Sequence, residues 1–376
     1  MFRRARILAA LAAASWPAAG CGMDLPLEER IAGVRPLAVR VEVADPARAD
    51  TDPVRAEALP FETVRLFPFV VDEQGAFELP RIEAELEPRW IVCNLAPIEG
   101  LGSCLANLTP LEPGDVPACP EVDPTMFDPA GDLPTFPSPC ELVGGTASQP
   151  EFVVPFAPAY LFGGDIEVTM VGHVPGDGET DRCYEELLAG GLAADPGCLF
   201  VTQRVSVGPD AVLIDLARQL GLPEIEGLGG VPDPLPEANT HPRIVTFVVR
   251  ELDEDGNELA VFQPARGEVI EVTAGHQLDL ETQAPEDDLQ SYPVQTEDGF
   301  TEDEETYSGS WFSTWGVLLS PSSDDPLSLN SWSLQRGDQD EEGEVPPGGR
   351  ATLYYVLRDG RGGVDWWWFH AEVAAP

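Results

Sequence analysis

Seven cysteines, four histidines and 66 acidic residues are the chemically capable side chains of this 376-residue chain, and their spacing limits what they can do. Once Cys21 is set aside, Cys93, Cys104, Cys119, Cys140, Cys183 and Cys198 form an even set. No Cys-x-x-Cys pair occurs and the nearest histidine, His173, stands alone, so the ligand spacing of a zinc site is missing. An even set in an exported chain points to disulfides. The spacing favours local pairs, Cys93–Cys104, Cys119–Cys140 and Cys183–Cys198, each closing a short loop. There is no Gly-x-Ser-x-Gly elbow, His-Glu-x-x-His or phosphate-binding glycine loop. His173, His241, His276 and His370 are scattered. With so many acids, paired carboxylates arise by chance and do not argue for glycosidase chemistry, which needs a defined separation across a cleft. Asp253-Glu254-Asp255-Gly256-Asn257 has the residue types of a calcium loop, but its glycine comes too early for the EF-hand order. Asp255-Gly256 between two apolar strands is a hairpin signal in its own right. The acidic run from Glu297 to Glu305 reads as a solvated loop. No catalytic residue, metal or cofactor is predicted, and the expectation is a protein that is not an enzyme.

Arg3, Arg4 and Arg6 precede an apolar run from Ile7 to Trp16 and the small residues Ala18, Ala19 and Gly20, the three-part layout of a secretory signal. The run is about half the ~20 residues needed to span a bilayer. Because Cys21 follows the small residues, the segment resembles a bacterial lipoprotein signal. That resemblance implies lipidation of Cys21, cleavage before it and anchoring to a membrane. Gly22 after the cysteine implies, by the same likeness, the outer membrane. Loss of residues 1–20, with three arginines and no acid, takes the formal charge from −45 to −48. A surface this negative repels phosphate backbones, so no nucleic-acid partner is expected.

The elements that would carry these residues are mostly strands. Leu37 to Val43 alternates apolar and mixed residues, Glu62 to Val71 follows, and residues 81–92 keep a period of two, with Ile82, Ala84, Leu86, Pro88, Trp90 and Val92 on one face. Here the chain resembles immunoglobulin-like sandwich modules, with Trp90 in the place of their buried strand-C tryptophan. From Cys93 to Gln149, prolines at 97, 110, 113, 117, 120, 124, 129, 134, 137 and 139 interrupt every element. This reads as a disulfide-stapled insertion. Strands resume at 152–156, 166–171 and 199–207, with a short helix between Cys183 and Cys198 and a second from Asp210 to Gly221. Residues 222–242, rich in glycine and proline, read as a linker. After it come strands near 244–250, 259–262, 269–272, 277–280, 309–319 and 329–334, closed by a hairpin of 351–357 and 364–373. This half resembles a second immunoglobulin-like or PKD-like module.

The expected organisation is therefore a mainly β protein of tandem immunoglobulin-like β-sandwiches: a signal at 1–20, a lipid-anchored tether at 21–32, a first sandwich at 33–221 with its insertion at about 93–149, a linker at 222–242 and a second sandwich at 243–376. Side chains on a strand alternate faces, so Trp367, Phe369, Ala371 and Val373 are assigned to the interior. Trp366 and Trp368 then point outward as the candidate binding surface, for a glycan or envelope protein, or else as cover against the first sandwich or a loop such as Glu297 to Glu305. The expected role is non-enzymatic binding, scaffolding or spacing at the cell envelope; the alternative is an accessory or catalytic module of an extracellular hydrolase with dispersed active-site residues.

Overall fold

The computed structural model describes residues 29–45, 54–95, 111–121, 137–143, 145–155, 160, 163–175, 180–190, 195–208, 214, 237–296, 299–323, 329–334 and 346–374. The signal segment, Cys21, Cys104 and most of the stretches read as a helix at 210–221 and a linker at 222–242 lie outside them.

The first sandwich contains β1 (Arg35–Asp45), β2 (Glu57–Ala58), β3 (Thr63–Asp72), β4 (Gly75–Ala76), α1 (Leu79–Leu86), β5 (Arg89–Leu95), β6 (Cys140–Glu141), β7 (Gly145–Thr146), β8 (Gln149–Val153), β9 (Gly164–His173), α2 (Thr180–Leu188) and β10 (Cys198–Val207). One sheet runs β1-β3-β8-β7, with β4 on β3; the other runs β2-β10-β9-β5-β6. The second sandwich contains β11 (Thr246–Leu252), β12 (Glu258–Phe262), β13 (Val269–Thr273), β14 (Gln277–Gln283), the hairpin β15 (Ser291–Thr296) and β16 (Gly299–Glu304), β17 (Ser308–Ser313), β18 (Val317–Leu318), β19 (Ser322–Ser323), β20 (Asn330–Ser333), β21 (Arg350–Arg358) and β22 (Val364–Ala374). Its sheets run β12-β11-β14-β20-β18 and β13-β22-β21-β17-β19.

The two halves share one topology. In each, the first strand joins the next long strand antiparallel, while an intervening edge strand crosses to the opposite sheet and pairs parallel with the last strand, β2 with β10 and β13 with β22. The orders β1-β3-β8 and β11-β14-β20 correspond to A-B-E of an immunoglobulin sandwich, and β10-β9-β5 and β22-β21-β17 to G-F-C. Trp90 on β5 is buried, as the resemblance implied, and Trp311 occupies the same strand of the second sandwich, also buried. The sequence placed 309–319 on a strand of a second module, but did not mark Trp311 as the counterpart of Trp90, because the residues around it are mostly serine and glycine.

Residues 81–92 are not one strand. Leu79–Leu86 is a helix with proline in its first turn, and Ile82 and Leu86, one helical turn apart, are its buried positions. Arg81 and Glu85 pair across the solvent face, Glu87 ends the helix in the left-handed region at φ 41°, and the strand starts only at Arg89. The alternation was ambiguous because Ile82 and Leu86 satisfy both a period of two and a period near four. Within the acidic run, residues 299–304 are likewise no open loop: they form β16, paired with β15, and Glu305 is buried.

Each sandwich has its own interior. Val39, Val41, Val64, Leu66, Val70, Trp90, Val92, Ile166, Val168 and Met170 belong to the first. Phe247, Val249, Leu278, Leu280, Trp311, Trp332, Leu353, Tyr355 and Phe369 belong to the second. The outer face of β9 and β5 is covered by a smaller cluster in which Cys183, Tyr184 and Leu188 of α2 and Val116 of the insertion pack on Ile91 and Val171. Two disulfides, Cys119–Cys140 and Cys183–Cys198, fasten this cover. Cys93 is also disulfide-bonded.

Candidate functional site at the seam between the sandwiches

Along β3 burial alternates from Thr63 to Phe67 and then becomes continuous from Pro68 to Asp72, and β21 is buried on both faces from Ala351 to Leu357. A sheet buried on one side alternates; continuous burial means that something covers the outer face. The cover is the other sandwich. Leu37, Ala38, Phe69 and Val71 of the first share a cluster with Tyr354, Val356 and Val364 of the second, and Trp366 and Trp368 pack against it. Phe69 and Trp366 stack with ring centroids 4.8 Å apart and planes 6° from parallel; Trp368 lies 6.0 Å from the same ring. The Tyr354 hydroxyl donates to the Asp72 carbonyl at 2.6 Å.

This assigns the candidate binding pair. Trp366 and Trp368 do leave the interior row, as the alternation required, but they pack against Phe69 and are half-buried there. The physical reason is that covering part of so large an aromatic surface with the nearest apolar face is favourable. Trp367 faces the other way: its indole N–H donates to the Pro264 carbonyl at 3.0 Å, and Arg266 lies over its ring.

The segments read as tether and linker also enter the seam. Within the stretch read as a tether, Ile31 N–H donates to the Ser313 carbonyl and Ser313 N–H to the Glu29 carbonyl, each at 2.9 Å, so residues 29–31 extend the β17 edge of the second sandwich. At the end of the stretch read as a linker, Asn239 and His241 are buried. Thr240 bridges to Arg55, and His241 N–H donates to the Val54 carbonyl at 2.9 Å. The imidazole joins both sandwiches: Val364 N–H donates to Nδ1 at 3.0 Å, and Nε2–H donates to the Val41 carbonyl at 2.6 Å. Together they fix the neutral Nε2–H tautomer, because Nδ1 can accept only while it carries no proton. Burial, with the Arg40 guanidinium nearby, pulls its pKa down to about 3.

Beside His241 lies a buried polar network. Arg361, in the turn between β21 and β22, reaches Glu57 Oε2 at 2.6 Å and Glu305 Oε1 at 2.8 Å. Asp359 Oδ1 accepts from the backbone N–H groups of Arg361 and Gly363, and Oδ2 accepts from Asn239 Nδ2 at 3.1 Å. Glu57 Oε2 also accepts from Asn239 N–H at 3.1 Å. Burial raises the pKa values of Glu57, Glu305 and Asp359 above the usual carboxylate range. The packing leaves no slack: a Cβ on Gly363 would stand 1.9 Å from the Asp359 carboxylate, and one on Gly208 1.7 Å from Glu57 Oε1. Next to this network, Arg55 grips Glu62 through two bonds of 3.0 and 2.7 Å.

The network holds no nucleophile activated by a base, and among the described residues no three Asp, Glu, His or Cys side chains converge as a ready metal cage. Asp253 closes its turn as a hairpin, its Oδ1 accepting from Asp255 N–H and Asn257 N–H. The seam residues Glu57, Asn239, His241, Glu305 and Arg361 escaped the sequence reading because they lie far apart in the chain, on segments whose composition signalled loops. The one available signal was a histidine and an asparagine interrupting a proline-rich stretch.

No family model and no curated protein matches the chain. Among solved structures it is similar, over 91% of its length, to dimeric latent PorU from Porphyromonas gingivalis, at 13% identity and a TM-score of 0.18, and it spans 24% of that chain. A likeness at that score carries no argument about fold or activity.

Proposed function

We propose that the mature chain is a lipid-anchored cell-envelope protein, held at the outer membrane through Cys21, whose two immunoglobulin-like sandwiches act as one rigid, non-enzymatic unit that spaces or presents a binding surface outside the cytoplasm. The observation that carries this reading is the seam. Tandem domains joined by a free linker move independently by default, whereas here aromatic stacking, a buried histidine and a charged network tie the two together, and the tether and linker ends are paired into the same body. The disulfides support an oxidising compartment. The test has two arms. Cell fractionation should find the wild type with membranes and Cys21→Ser in the soluble fraction; an unchanged membrane fraction for the variant removes the anchor. Spin labels placed at Val143 and Leu259, which are exposed on different sandwiches, should give a single narrow distance distribution, and a broad one removes the rigid unit.

A further inference from the structure

Charge is missing from one edge of the second sandwich. The eighteen residues from Thr306 to Ser323 include no Asp, Glu, Arg or Lys, the longest such run in a chain with 66 acidic and 21 basic residues, and Pro326 to Gln335 include none either. The first run supplies β17, β18 and β19, and the second supplies β20. Because β18 and β19 are the terminal strands of the two sheets, these residues form a lateral edge. Asp324 and Asp325 separate the two runs, and Asp279 of β14 borders them, its Oδ1 accepting the Ser331 hydroxyl at 2.7 Å.

Where this edge meets water it is apolar. Leu319 is 75% exposed and Leu329 60%, and the exposed residues beside Leu319 are Pro321 and Ser322. Leu319 N–H donates to the Ser331 carbonyl at 2.8 Å. Asn330 fastens Ser320 in both directions, its Oδ1 accepting the Ser320 N–H at 3.1 Å and its Nδ2 donating to the Ser320 carbonyl at 2.8 Å. The two leucines therefore stand on neighbouring, cross-fastened segments.

The tether arrives at the same edge. Besides the pairing of Glu29 and Ile31 with Ser313, Arg30 donates to the Gly316 carbonyl at 3.2 Å and lies over the Trp315 ring at 5.1 Å, directly before β18. Glu29 is eight residues from Cys21, at most about 29 Å of extended chain. A lipid on Cys21 thus holds Ser313 within that distance of the bilayer. The protein as a whole is strongly acidic, and anionic headgroups repel such a surface; the charge-free edge is the side that can come close.

We infer that this edge faces the membrane in the anchored protein, with Leu319 and Leu329 entering the interfacial layer of the bilayer. The inference rests on the reading of Cys21 as the lipid anchor: the acyl chains attach the protein and the leucines orient it. Two leucines bury too little apolar surface to hold a protein on a bilayer by themselves, but beside an anchor they favour the facing orientation by about tenfold or more.

The test uses the lipidated chain in vesicles of phosphatidylethanolamine with a minor share of phosphatidylglycerol. A nitroxide is placed through Leu319→Cys or, as the control, through Leu259→Cys on β12, at the opposite end of the sheet that ends in β18. On vesicle binding, collisions of the 319 label with a water-soluble nickel chelate should fall about tenfold, and those of the 259 label should not change. A label at Ser322→Cys should be shielded likewise. In Leu319→Asp/Leu329→Asp it should stay open to the chelate, although that variant should remain membrane-bound and keep its Tm within about 2 °C. Fractionation of Cys21→Ser reads the anchor separately, so a membrane-bound chain whose 319 label stays open sinks the edge and spares the anchor. The inference is also overturned if the double variant remains shielded, or if the 319 label is equally shielded in vesicle-free Cys21→Ser protein, because a second copy of the chain then covers the edge.

Discussion

Phe69→Ala isolates the seam from the two cores. Phe69 sits on the outer face of β3, in the shared cluster and not among the interior residues of the first sandwich, so its removal leaves both cores whole. Its ring is buried and contacts Trp366, Trp368 and Tyr354. Deleting a buried phenylalanine costs about 3–5 kcal/mol, of which ring stacking accounts for about 0.5–1.5 kcal/mol. All of that loss falls on the coupling between the sandwiches. The wild type should melt in one calorimetric transition, and Phe69→Ala should separate it into two. At about 2–4 °C per kcal/mol for a domain of this size, the lower transition should lie roughly 6–20 °C below the wild-type Tm. A variant that still melts in one transition within about 1 °C of the wild type would refute the claim that the aromatic seam couples the domains, whatever the contacts look like.

Four further outcomes are expected. Trp366→Ala/Trp368→Ala should lower Tm by several degrees in the same manner, because both indoles cover Phe69; an unchanged Tm would return them to the status of a free binding face. His241 is neutral in the fold and its pKa of about 3 lies below the unfolded value near 6.5, so the unfolded chain takes up the proton first. The contribution is therefore complete above pH 6.5 and is lost as pH falls toward 3, by at most about 5 kcal/mol. His241→Gln should flatten stability-versus-pH curves in that window relative to wild type, and parallel curves would exclude this role. Glu87→Gly should stabilise the protein by about 1 kcal/mol in denaturant titrations, since glycine adopts the left-handed conformation at the end of α1 without a Cβ penalty. Cys119→Ser/Cys140→Ser should cost about 2–4 kcal/mol, and non-reducing peptide maps should return the 119–140 and 183–198 linkages; a map with either cysteine pair exchanged would contradict the fold around α2.

What the sequence determined by itself is what depends on near neighbours. Alternation marked most strands, Asp255-Gly256 marked its hairpin, the spacing of Cys119 and Cys140 and of Cys183 and Cys198 marked their pairing, and Trp90 marked strand C of the first sandwich. Even there, α1 was misread, because Ile82 and Leu86 fit two periodicities and only packing against the interior chooses between them. The seam was decided by tertiary structure alone. Nothing local to Trp366 and Trp368 distinguishes an indole exposed for a ligand from one stacked on Phe69, and nothing local to His241 or Arg361 reveals partners at Val41 or Glu57. Periodicity records which face of an element is apolar; which other face will cover it depends on how two completed sandwiches fit, and that fit is a property of surfaces assembled from distant parts of the chain.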